Sequence, residues 1–165
     1  MSERFKVRVT KDYLVFCSGH FISYEGDRCE RLHGHNYRTA VEVEGHLDNN
    51  YYVFDFIALK NRTREIVDEL DHRMMLPTQN RLIRVEPGPR SVHVTYRDRE
   101  WLFPRDDTVL LPIENTTAEL LARYIGQRLL AALQSQHSYT PEVLRVEVEE
   151  NIGQAAFYEW RASEA

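Results

Sequence analysis

The sequence predicts an α+β fold: an antiparallel four-stranded sheet with two helices on one face, plus a hairpin inserted between the helices. Three observations carry this. Apolar and polar residues alternate at period two near both ends of the chain, and two internal segments switch to a helical period. The order strand, strand, helix, insertion, helix, strand, strand also joins consecutive strands by short loops, which favours antiparallel pairing.

The first strand begins at Phe5-Lys-Val-Arg-Val-Thr10 and continues through Tyr13-Leu-Val-Phe-Cys17, a strand pair or one bent strand ending near His20. Ser18 to Arg31 is expected to be a polar loop. Tyr37 to Glu44 alternates again and is closed by Gly45 and the Asp48-Asn-Asn turn cluster. From Asp55, an N-cap by residue type, Phe56, Leu59, Ile66, Val67 and Leu70 fit one helix face. Thr116-Thr-Ala-Glu119 has capping-box spacing, and Leu121, Ile125, Leu129 and Leu133 then recur every four residues. Between the helices, Val92 to Tyr96 and Trp101 to Phe103 flank Asp98 as a hairpin. Val143 to Glu149 and Ala156 to Trp160 are the last two strands.

Length and charge bound the function. A chain of 165 residues with no linker, repeat or low-complexity stretch reads as one domain over 1–165, with an insertion at about 78–113. The net charge of −5 argues against nucleic-acid binding, and no apolar run is long enough for a membrane span. The first residues carry no secretory h-region, and two cysteines make no disulfide framework. A cytoplasmic protein with reduced thiols is expected.

The chemistry concentrates in Cys29-Glu-Arg-Leu-His33-Gly-His35. Residues two apart on a strand point the same way, so His33 and His35 can offer both imidazoles to one ion. His20, at the end of the preceding strand, is within reach if the two strands are antiparallel neighbours. Three histidines without an obvious fourth ligand describe an open catalytic zinc site better than a closed structural one. Cys29, near Arg28 and Arg31, is either a small buried residue or a reactive thiolate. Asp71 beside His72 suits a charge-stabilised proton shuttle, or a solvated pair at a helix end. Of Glu149 and Glu150, Val146 and Val148 put Glu150 on the apolar side, where a carboxylate needs donors such as adjacent N–H and NH₂ groups of a heterocycle.

The order His20, Cys29-x3-His33-Gly-His35, Asp55-Phe56, Leu70-Asp71-His72, Thr116-Thr117-Ala-Glu119 and Glu150 resembles the 6-pyruvoyl-tetrahydropterin synthase and 6-carboxy-tetrahydropterin synthase family over roughly residues 5 to 160. The resemblance implies the tunnelling fold, trimers closing a barrel and pairing into a hexamer, and active sites at subunit interfaces. It implies that His20, His33 and His35 hold Zn²⁺, that Cys29 is the general base, and that Asp71 and His72 complete a proton relay. Glu150 would anchor the pterin, and Thr116 and Thr117 would line its pocket from a neighbouring subunit.

The activity so implied is a zinc-dependent lyase reaction on 7,8-dihydroneopterin triphosphate. It would form 6-carboxy-tetrahydropterin, which feeds queuosine and other deazapurines, or 6-pyruvoyl-tetrahydropterin. Two alternatives stand beside it: cleavage of dihydroneopterin to 6-hydroxymethyl-dihydropterin, and a pterin-binding zinc module without turnover. Members of the family that cleave dihydroneopterin resemble a Glu-x2-His-Gly-His form, and Cys29-Glu30-Arg31-Leu32-His33 satisfies both spacings, so Glu30 is a second candidate base or a solvated loop acid.

Overall fold

The computed structural model describes residues 3–162. β1 (Phe5–His20) is the single bent strand, and the bend is a bulge between Thr10 and Val15 where it pairs antiparallel with its neighbour. The expected polar loop after it contains a short hairpin, β2 (Ser23–Tyr24) and β3 (Arg28–Cys29). β4 (His33–Gly45) starts four residues earlier than the alternation suggested, because His33, Gly34 and His35 pair with His20, Gly19 and Ser18. α1 (Phe56–Asp68) is capped by Asp55, whose carboxylate accepts from the Ile57 N–H at 2.9 Å.

β5 (Arg73–Pro77) follows α1, and the insertion contributes β6 (Arg84–Pro87), β7 (Ser91–Tyr96) and β8 (Arg99–Pro104). The insertion is therefore a three-stranded antiparallel sheet, not a two-stranded hairpin. After β9 (Thr108–Leu111) come α2 (Ala118–His137), β10 (Val143–Asn151) and β11 (Gln154–Arg161). The N-cap of α2 is Thr117, one residue later than the Thr116 capping box; its hydroxyl accepts from Leu120 N–H.

The main sheet has the order β11-β10-β4-β1-β5-β9. Its four long strands are antiparallel, as the alternation predicted, and β5 and β9 add two short parallel strands that it did not. Met74-Met75-Leu76 is buried on both sides, so it carries no period-two signature.

Two cores result. Between the helices and one face of the sheet lie Phe16, Tyr37, Val41, Leu59, Leu121, Ile125, Leu129, Val146 and Val148. On β5, Met75 faces this core, whereas Met74 and Leu76 face a second one, with Phe21, Ile83, Val92, Val94 and Tyr96 from the insertion and the loop after β1. Alternating burial on one strand thus ties the two cores together.

A candidate metal centre

Antiparallel pairing brings the C-terminal end of β1, the N-terminal end of β4 and the C-terminal end of β10 to one end of the sheet. His20 follows Leu14, Phe16 and Ser18 on the helix-covered side of β1, and His33 and His35 share a side with Tyr37 on β4. Glu150 follows Val146 and Val148 on β10. One ligand atom from each of His20, His33, His35 and Glu150 lies within 4.8 Å of all the others. In sequence this carboxylate stands far from the histidines, and nothing there groups it with them. Glu150 Oε1 stands 3.2 Å from His20 Nε2 and 3.1 Å from His35 Nε2.

Backbone carbonyls set the imidazoles. His20 Nδ1–H donates to the Thr116 carbonyl at 2.9 Å, and His33 Nδ1–H donates to the Arg31 carbonyl at 2.8 Å. A carbonyl only accepts, so both rings carry a proton on Nδ1, and in the neutral ring this leaves the lone pair on Nε2. His20 is 1% exposed, and its Nε2 has no hydrogen-bond partner although Glu150 Oε1 stands 3.2 Å away. Burial lowers the pKa of His35, Glu150 counters this, and the other two histidines reinforce it. Imidazoles oriented by backbone carbonyls, one of them with a buried Nε2 that has no partner, fit the three histidine donors of an open zinc site.

Gly34 sits where no side group would fit easily. A Cβ there would meet the Ser18 carbonyl oxygen at 3.0 Å, so a glycine keeps β1 and β4 close between the His20–His33 and Ser18–His35 pairs.

The other candidates are placed unevenly. Glu30 has its carboxylate 3.9 Å from His33 Nδ1. Neither Arg28 nor Arg31, the arginines expected to favour a Cys29 thiolate, is among the groups that shift that thiol. Arg28 pairs with Glu25 at 2.9 Å, and the Cys29 thiol pKa is raised: burial pushes it up, Arg99 pulls it down, and Glu30 adds to the rise. Cys29 packs against the second core.

Asp71 accepts from the Cys17 N–H at 2.7 Å and contacts His72 Nδ1 at 2.8 Å. Among the described residues no hydrogen bond or ion pair joins this dyad to the three histidines, and the His72 imidazole is 82% exposed. Thr116 is fully buried and its hydroxyl donates to the Phe21 carbonyl, so it meets the centre through its backbone. Thr117 spends its hydroxyl on the helix cap.

Comparison with known proteins agrees with this geometry. A family model described as 6-pyruvoyl tetrahydropterin synthase matches residues 8–161. The chain belongs to that family. A putative 6-carboxy-5,6,7,8-tetrahydropterin synthase of Methanocaldococcus jannaschii is 33% identical over 146 residues, covering 88% of this chain and 89% of that protein. The crystal structure of the Plasmodium vivax 6-pyruvoyltetrahydropterin synthase is similar with a TM-score of 0.89 at 27% identity, over 98% of this chain and 100% of that one. That enzyme has also been solved with a glutamate described as a catalytic residue replaced by alanine or by cysteine. Over a shorter stretch, a dihydroneopterin monophosphate aldolase of Pyrococcus furiosus is 41% identical over 58 residues, 35% of this chain and 48% of that protein.

Sequence reasoning missed Arg99, which donates to the carbonyls of Cys29 and Glu30 from β8. It also missed the carbonyls of Thr116 and Arg31. Every residue carries a carbonyl, so no residue type could have marked these two.

Proposed function

We propose that this tetrahydropterin synthase-family protein is a zinc-dependent lyase acting on 7,8-dihydroneopterin triphosphate, forming 6-carboxy-tetrahydropterin with loss of triphosphate and of the two outer side-chain carbons as acetaldehyde. The observation that carries the proposal is the convergence of His20, His33, His35 and Glu150 within 4.8 Å, with the free lone pairs of His20 and His33 fixed by carbonyls. Curated relatives carrying the 6-carboxy-5,6,7,8-tetrahydropterin synthase name support the product class, among them the Haemophilus influenzae protein, 28% identical over 127 residues.

His20, His33 and His35 would hold the zinc, which when bound supplies Lewis acidity toward the hydroxyls of the substrate's C6 substituent. Glu150 offers two acceptors to the adjacent N–H and NH₂ donors of a pterin edge. A base from the Cys29-Glu30 segment takes the C–H proton next to those hydroxyls, and His72, oriented by Asp71, returns a proton elsewhere. The exposure of His72 and its distance from the histidine contacts suit a dyad that serves the site of a second copy.

Assembly follows the same logic. The outer edge of β11, and the edge of the Phe5–Tyr13 stretch of β1 that faces away from β4, have no strand partner among the described residues. Pairing one with the other from a neighbouring copy closes a ring, and a trimer pairing to a hexamer is the assembly proposed. Exposed Tyr13, Phe56, Ile57 and Phe157 are apolar surface for such contacts.

A second reading is favoured by one observation: the carboxylate near His33 belongs to Glu30, while the neighbouring thiol is held in its protonated form by burial. In that reading Glu30 is the base for cleaving dihydroneopterin to 6-hydroxymethyl-dihydropterin. Offering the zinc-loaded protein each substrate, with products identified by mass, tests both. Loss of turnover on chelation is expected, and a zinc protein inert toward both substrates would leave only a binding module. Cys29→Ala and Glu30→Ala, each assayed on both substrates, then assign the base.

A further inference from the structure

The insertion is fastened to the segment that carries Cys29 and Glu30 at successive points. Tyr96 Oη donates to the Asp27 carbonyl, and Arg97 pairs with the Asp27 carboxylate. Arg99 Nη1 donates to the Cys29 carbonyl at 3.1 Å and Arg99 Nη2 to the Glu30 carbonyl at 3.2 Å. The guanidinium lies over Trp101, 4.7 Å from the ring centre, and Trp101 stacks on Phe21 at 4.5 Å, next in sequence to His20.

We propose that Arg99 is a positioning residue whose two-pronged grip on successive carbonyls decides which of Cys29 and Glu30 faces the histidines. The proposal rests on the reading of those two residues as candidate bases. A guanidinium is planar and its donors form a rigid fork. Holding the carbonyls of residues 29 and 30 with one fork fixes the peptide between them, and with it the directions of both side groups. In the direction so fixed, Cys29 packs against the insertion's core and the Glu30 carboxylate stands 3.9 Å from His33. The stack on Trp101 sets the fork in turn, so an element remote in sequence controls the presentation of the base. Charge alone does not do this, since a lysine in the same place would supply a cation but no fork.

The test has one arm that needs no turnover. In a Cys17→Ser protein, alkylation of Cys29 by iodoacetamide is followed against pH with Arg99, Arg99→Lys and Arg99→Met. Both variants lose the fork, so the plateau rate at high pH is expected to rise on the order of tenfold in each. Lysine retains the stem and charge over Trp101, so it holds the fold even where methionine does not. Unchanged plateau rates in the folded variants overturn the proposal.

The second arm is the product ratio from dihydroneopterin triphosphate and dihydroneopterin. It is expected to shift toward the triphosphate-derived product in Arg99→Lys, through kcat with KM unchanged. A constant ratio in an active enzyme whose thiol has been freed also overturns it. Should wild-type protein turn over neither substrate, the functional reading falls, and the alkylation arm still judges the fork.

Discussion

His20 and Thr116, 96 residues apart, are joined by a 2.9 Å hydrogen bond from the imidazole Nδ1–H to the backbone carbonyl just ahead of α2. This bond links the end of β1 to the start of a helix across the core, and it dictates which nitrogen of His20 is free. It leaves a buried lone pair aimed at His35 and Glu150. Such carbonyl partners orient metal-binding histidines, and losing one weakens metal affinity by about ten- to a hundredfold.

Metal content separates the cluster from ordinary surface histidines. His33→Ala is expected to lose most of the bound zinc after dialysis. His46→Ala is expected to keep it, since His46 is solvent-exposed and paired with Glu142 at 2.8 Å. Elemental analysis of the two proteins decides, and equal zinc in both would sink the assignment.

Glu149 and Glu150 take different partners at the end of β10. Glu149 accepts from the Gly153 N–H at the β10–β11 turn, whereas Glu150 stands between His20 and His35. Glu150→Gln is expected to raise KM for the pterin by at least about tenfold, because an amide offers one acceptor to two donors. Glu149→Gln should stay within about twofold. Steady-state kinetics on both variants checks this, and the reverse order would contradict it.

Acid stability should report on Asp71. Partial desolvation raises its pKa, but the N–H of Cys17 and the imidazole of His72 outweigh this and hold it below the ordinary value. A carboxyl with a depressed folded pKa stabilises the fold above its unfolded pKa of about 4 and loses that contribution as pH falls through the folded value. Wild type is therefore expected to be more stable than Asp71→Asn near neutrality, with the gap closing below about pH 4. Urea unfolding at a series of pH values measures the gap, and one that stays constant with pH contradicts the role.

Gly126 lies on the face of α2 that meets the sheet. A Cβ there would come within 2.6 Å of the Tyr158 ring and 3.3 Å of Val146 Cγ2. Alanine favours a helix by about 1 kcal/mol over glycine, but overpacking costs typically about 1–3 kcal/mol. The contact is with a ring carbon, so the clash should win and Gly126→Ala should lower Tm by several degrees. A thermal melt that moves upward would show that Tyr158 swings aside freely.

What the sequence determined by itself were the elements with one buried face. Alternation marked β1, β4, β10 and β11, helical spacing marked α1 and α2, and Asp55 announced a cap that the structure contains. It also set the two-residue spacing that puts His33 and His35 on one side of a strand. The tertiary structure decided the rest. β5 and β9 are short runs buried among neighbours, so they have no period to read. The cap of α2 fell to Thr117 because Thr116 is drawn into the core, its carbonyl on His20 and its hydroxyl on Phe21. Cys29 met a partly buried environment and an arginine from β8, while Arg28 turned to Glu25. In each case the deciding partner is distant in sequence, and carbonyls and burial are properties that no single residue type announces.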